Sequence, residues 1–173
     1  MNRKLGLLLT IVLALTVSAC SNKKEAAATD TTTKTPVEVD TSSQAVFGTK
    51  YTADELRNLF GIEGDPLNYK VLYFEYNSSV IDERSQIIAK RHAQYLGGNG
   101  GARVTLEGHA DERGTRDYNL ALGERRAQAV AEFMNAEGAQ SQIQTISYGE
   151  ERPADPAHTE AAWQQNRRVE IKY

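Results

Sequence analysis

The sequence predicts an α/β sandwich of the α+β kind, in βαβαβ(β) order, with helices packed on one face of a small mixed sheet. Three observations predict it. Residues 71–76 read Val-Leu-Tyr-Phe-Glu-Tyr, an alternating run rich in aromatic and β-branched residues, as a half-buried strand requires. Residues 116–137 place Leu120, Gly123, Ala127, Val130 and Met134 at i, i+3, i+7, i+10 and i+14 and stop at Gly138, the stripe of an amphipathic helix. Residues 143–148 and 168–173 read as two further strands near the C-terminus.

From the N-terminus, the first feature is an address. Arg3 and Lys4 precede an apolar run over residues 5–17, too short to span a bilayer comfortably and ordered like a secretory signal. The run ends in Val17-Ser18-Ala19-Cys20, and Cys20 is the only cysteine. It has no partner for an internal disulfide. One reading is an incidental thiol; the other, favoured because the lone Cys stands at the cleavage point, is a bacterial lipobox in which residues 1–19 are removed and Cys20 is acylated. Acyl chains there would hold the protein on a membrane without spanning it. Ser21 follows rather than Asp, which by resemblance to bacterial lipoproteins points to the outer membrane. Removing residues 1–19 takes two of the 20 Lys+Arg and none of the 23 Asp+Glu, so the formal charge goes from −3 to −5. That balance argues against nucleic acid as a partner.

Residues 20–50 turn to Thr, Ala, Ser, Lys and Asp with few large apolar groups, too few to offset the entropy of ordering. They read as a tether with a flexible reach of roughly 30 Å. Residues 51–65 form a lead-in: a short amphipathic helix begins at Thr52, with Glu55 at capping-box spacing. The domain proper spans residues 66–173, long enough for one core and too short for two.

Within it, the strand at 71–76 should turn Leu72, Phe74 and Tyr76 to one face, and Asn77-Ser78-Ser79 breaks it. A helix over residues 80–96 carries Ile81, Ile88, His92 and Tyr95 at helical spacing and ends in a Gly-rich turn. His92 on that stripe reads as a packing residue. A strand at 102–107, with Val104 and Leu106 inward, runs into Gly108-His109-Ala110-Asp111-Glu112-Arg113-Gly114-Thr115. The long helix follows, and Gly123 within it permits a close approach to the sheet at a helix-propensity cost of up to about 1 kcal/mol. A short helix around residues 160–164 precedes the last strand.

The chemistry gathers at the junction of that loop and the long helix. At about 100° per residue Arg126 lies about 60° from Gly123, at the edge of the buried stripe, whereas Arg125 points about 160° away into solvent. Asn119 projects from nearly the same edge as Arg126, and Asp111 lies in the loop that feeds the helix. Asp111 and Arg126 can pair with each other and staple loop to helix, a common structural use. Alternatively they face a ligand bearing both an ammonium and a carboxylate, the first taken by Asp111 and the second held by Arg126. A competing reading is a metal-dependent hydrolase built on Glu107, His109 and Asp111 at i, i+2 and i+4. It needs strand geometry to continue past Gly108, and no second His is near. No Gly-x-Ser-x-Gly, phosphate loop or dinucleotide fingerprint occurs, so the sequence predicts a non-enzyme with no cofactor and no metal.

Five separated motifs carry a resemblance. Residues 71–77, Glu107-Gly108-His109-Ala110-Asp111-Glu112-Arg113-Gly114-Thr115, residues 118–127, residues 147–153 and Asn166-Arg167-Arg168-Val169-Glu170 together resemble the OmpA-like peptidoglycan-binding domain. With its lipobox and tether the chain is similar to the outer-membrane lipoproteins of that family in Gram-negative bacteria. The resemblance implies non-covalent binding of meso-diaminopimelate in the peptide stem of peptidoglycan, clamped by the Asp of Gly-His-x-Asp and the Arg fifteen residues later, here Asp111 and Arg126. It implies a groove lined by Tyr76, Asn77, backbone groups of His109, Ala110 and Glu112, and Asn119, with Arg167 in support. Glu75 and Tyr76 stand where the family often has Asp and Phe. It implies, finally, anchoring of the outer membrane to the wall through lipid on Cys20, a domain facing the periplasm, and a shared surface for the β-propeller protein of the Tol system, with roles in envelope integrity and cell division.

Overall fold

The structure, a computed structural model, describes residues 44–139 and 142–173. The signal segment, Cys20 and the tether as far as residue 43 lie outside the described residues. In chain order the elements are α1 (Ala53–Phe60), β1 (Val71–Tyr73), α2 (Glu83–Gly98), β2 (Val104–His109), α3 (Arg116–Ala136), β3 (Ile143–Gly149), α4 (Glu160–Asn166) and β4 (Arg168–Lys172).

Local chemistry sets the helix ends. Thr52 caps α1: its side chain accepts from the Glu55 N–H, and the Glu55 carboxylate accepts in return from the Thr52 N–H at 2.8 Å, the expected capping box. Asp82 caps α2 through the Ser85 N–H at 2.7 Å, so this helix starts at Glu83 rather than at residue 80. Thr115 caps α3 and Thr159 caps α4.

The sheet order is β1-β4-β2-β3. β4 runs antiparallel to both β1 and β2, and β2 is parallel to β3, giving the mixed sheet. Leu72, Leu106, Val169 and Ile171 are fully buried from the sheet, and Ile88, Leu96, Val130 and Met134 meet them from α2 and α3. Leu56 of α1 and Ile62 belong to the same core. Val46 and Phe47 also pack against it, and the Val46 N–H donates to the Tyr51 carbonyl at 2.9 Å. The packed unit thus takes in the end of the stretch expected to be tether.

Two expectations are corrected. β1 stops at Tyr73, and although Phe74 is buried, Tyr76 is 59% exposed. The chain leaves the sheet in a turn, with the Ser78 N–H on the Glu75 carbonyl at 3.2 Å and Asn77 at φ 51°. In α3 Leu120 is 42% exposed, while Asn119, Leu122 and Arg126 are buried beside Gly123, Ala127, Val130 and Met134. The buried arc is rotated about 30° from Gly123 toward the Arg126 side, which leaves Leu120 beyond its edge.

The rotation goes with a backbone contact. A Cβ built on Gly108 would lie 2.0 Å from the Gly123 carbonyl oxygen, and one on Gly123 would lie 2.4 Å from Ser147 Oγ. Helix and sheet touch here through glycine on both sides. Gly108→Ala is therefore expected to cost about 2–4 kcal/mol in denaturant unfolding. Gly101→Ala, where an added Cβ meets nothing within 4 Å, should change stability little.

Candidate ligand-binding cleft

β1 and β2 run in the same direction and deliver their C-terminal residues to one end of the sheet, near the first turns of α3. The 75–78 turn and the 110–115 loop emerge there, and Tyr76, Asn77, Asp111, Arg113, Tyr118, Asn119, Leu122 and Arg126 line a cleft between them with ≈ 20 Å³ of free space. That is room for about one water.

Arg126 is the largest fully buried side chain of the described residues, at 0% exposure. Its guanidinium donates from Nε to the Ser78 carbonyl at 2.8 Å, from Nη1 to the His109 carbonyl at 2.8 Å and from Nη2 to the Glu75 carbonyl at 3.1 Å. Those acceptors are neutral. Among the described residues no carboxylate lies within ion-pair distance of it, and burial brings its pKa down to about 10, with Asp111 at longer range working the other way. It remains charged at neutral pH. The inward orientation read from the helix face is observed; a direct Asp111–Arg126 staple is not.

Asp111 is claimed by other arginines. Arg113 donates from Nη2 to Oδ2 at 2.8 Å, from Nε to Oδ1 at 3.2 Å and from its backbone N–H to Oδ1 at 3.1 Å, and Arg167 Nη1 reaches Oδ2 at 3.1 Å. Burial works to raise the Asp111 pKa, but these donors outweigh it and hold the carboxyl below its ordinary value. Arg167, itself 2% exposed, is fixed by the Phe74 carbonyl at 3.2 Å and by Glu160 at 2.9 Å. It stands behind the carboxylate as a support.

The remaining predicted residues divide. Tyr76, Asn77 and Asn119 reach the cleft; the Tyr118 hydroxyl donates to Asn77, and the Asn119 amide donates to Glu150. Ala110 is a buried backbone link, its N–H on the Gly149 carbonyl at 2.8 Å. Glu112 is directed elsewhere, accepting from His158 Nδ1 at 2.7 Å and Trp163 Nε1 at 2.9 Å, so it ties the loop to α4 instead of lining the cleft. His109 contributes only its carbonyl. Its ring lies against Tyr148, with centroids 5.6 Å apart, and 4.0 Å from Glu170. β2 does extend through Gly108 to His109, but Asp111 lies beyond its end, so Glu107, His109 and Asp111 do not present one strand face.

Four contributors were not read from the sequence: Arg113 as a cleft residue, Tyr118, Glu160 and Trp163. Trp163 is the only tryptophan and the one signal that could have drawn attention to α4. Its contact with the loop spans about fifty residues of chain, which no local pattern encodes.

The fold is that of an OmpA-type domain. Residues 73–167 match the OmpA family, and the chain belongs to that family, more narrowly with its peptidoglycan-associated lipoproteins. It is 40% identical to the peptidoglycan-associated lipoprotein of Legionella pneumophila over 98% of this chain and 94% of the relative. It is 52% identical to the protein of that name from Pseudomonas aeruginosa over 101 residues, covering 58% of this chain and 60% of the relative's length. The crystal structure of the peptidoglycan-associated lipoprotein from Burkholderia pseudomallei superposes with a TM-score of 0.61 at 38% identity, over 62% of this chain and 92% of that one. The C-terminal domain of Helicobacter pylori MotB, at 23% identity and a TM-score of 0.55, shares the fold.

The His109 ring gives the fold a pH signature. Burial, then the charge of Arg168, pushes its pKa from 6.5 down to about 4. Between those values the unfolded chain binds a proton that the folded chain does not, so stability is full above about pH 6.5 and is lost as pH falls toward 4. Thermal melts from pH 7 to 4.5 are expected to show this fall, worth roughly 2 kcal/mol. His109→Phe should reduce it to a residual slope of the same sign, from His92, whose pKa burial also lowers, and at the acid end from carboxylates such as Asp111 and Glu170 that arginine and lysine donors hold below their ordinary range despite burial.

Proposed function

We propose that this chain is an outer-membrane lipoprotein that grips peptidoglycan without a covalent bond, through meso-diaminopimelate of the peptide stem, and so anchors the membrane to the wall. The observation that carries the proposal is Arg126, a fully buried guanidinium bordering a polar cleft with no carboxylate partner among the described residues. A guanidinium has five N–H donors. Three are engaged on carbonyls, which leaves one on each terminal nitrogen, a fork suited to a carboxylate. A ligand carboxylate would supply the counter-charge that the fold withholds. Asp111, the one carboxylate lining the cleft, would take the neighbouring ammonium.

Such a ligand end carries ammonium and carboxylate on one carbon, as the side-chain end of diaminopimelate does. The relatives' name, peptidoglycan-associated lipoprotein, supports the same reading. Lipid on Cys20 would fix the chain to the outer membrane, and the tether would let the domain reach the wall from the periplasmic side. The family resemblance adds the Tol-system β-propeller protein as a second partner at this face.

The test is retention of the mature chain on purified sacculi. Asp111→Ala and Arg126→Lys should each lower retention roughly tenfold or more, with folding checked by thermal melt. Undiminished retention of both variants would sink the clamp.

A further inference from the structure

Arg113 plays no part in the proposed clamp, yet two aromatic rings and two carboxylates surround it. Its Cζ lies 4.2 Å from the ring centroid of Tyr76 and 4.2 Å from that of Trp163. Its N–H groups reach both oxygens of Asp111, and Nη1 reaches Glu160 at 3.3 Å. Two aromatic rings and two carboxylates around one cation make an aromatic cage, the arrangement that proteins use for ammonium ligands. Here the occupant is the protein's own side chain.

Asp111 has only 5% of its side chain exposed, and the cleft has ≈ 20 Å³ of free space. An incoming ammonium therefore cannot reach this carboxylate while both of its arginines stay in place. Arg167, 3% exposed, is held from behind by Phe74, Gln164 and Glu160. Arg113 is 29% exposed, and it follows Asp111 by two residues on the loop. It is the one that can leave.

We propose that Tyr76, Trp163, Asp111 and Glu160 form a cation subsite that Arg113 fills in the free protein and that a ligand's ammonium takes over by displacing it. The exchange is cation for cation, so Asp111 keeps its charge balance and Arg167 keeps its position. Arg113 then weakens binding by competing for the site. The proposal rests on the zwitterion clamp described above.

The test uses the full mature chain and a soluble tripeptide ending in meso-diaminopimelate. Arg113→Met keeps the apolar stem between the rings and removes the charge. It should bind the tripeptide about five- to tenfold more tightly than the wild type, the competition expected of one partly exposed ion pair with its cation–π contacts. Arg113→Lys, which keeps a charge but loses the bidentate fork, should fall between the two. In the wild type the tripeptide should also change the emission of Trp163, the only tryptophan, as the guanidinium leaves its face. Equal or weaker binding by Arg113→Met, or unchanged Trp163 emission at saturation, overturns the subsite and leaves the clamp standing. Failure of wild type and variant alike to bind the tripeptide overturns both.

Discussion

The structure turns on three hydrogen bonds from one buried guanidinium. Arg126 joins the carbonyls of Glu75 and Ser78, in the turn after β1, to that of His109 at the end of β2. A buried cation is costly unless its donors are satisfied, and here three otherwise separate backbone segments satisfy them. The turn is thereby held off the sheet with Asn77 in the left-handed region, and the loop carrying Asp111 leaves β2 from a fixed point. Loss of such a buried group commonly costs several kcal/mol, because its partners are left unpaired.

Arg126 reaches these carbonyls because α3 lies directly on the sheet. Gly108 and Gly123 meet backbone to backbone, and Gly123 precedes Arg126 by less than one helical turn. A side chain at either glycine would lift the helix and carry the guanidinium away from its acceptors. Packing and site are thus one construction, and the helical cost of a mid-helix glycine is offset by what the close approach permits.

The cleft that results is electrostatically lopsided. Asp111 has two guanidinium partners, whereas Arg126 has none of opposite charge among the described residues. Glu160 bonds to both Arg113 and Arg167 at the rim, and Glu112 uses its carboxylate to fix the loop against α4. Charges of both signs are held in place before any ligand arrives: Arg126 and Arg167 are fixed by buried hydrogen bonds, and Arg113 is the more exposed of the two arginines on Asp111. The proposed zwitterion clamp rests on this pairing of surplus and deficit.

The order of elements, the Thr52 capping box, the packing role of His92 and the inward face of Arg126 were legible in the sequence. Each follows from a period or a cap that acts within one turn or one strand. The 100° helical step alone separated Arg126 from Arg125. What only the tertiary structure decided is which groups these side chains meet. The chain turns off the sheet after β1 where a residue some fifty positions later bonds the Glu75 and Ser78 carbonyls, and Asp111 pairs with Arg113 and Arg167 rather than Arg126. Tyr76 and Trp163 close around Arg113 from opposite ends of the domain. Local sequence fixes the direction in which a side chain leaves its own backbone; its partner is set by segments brought together only when the sheet closes, and no periodicity records that meeting.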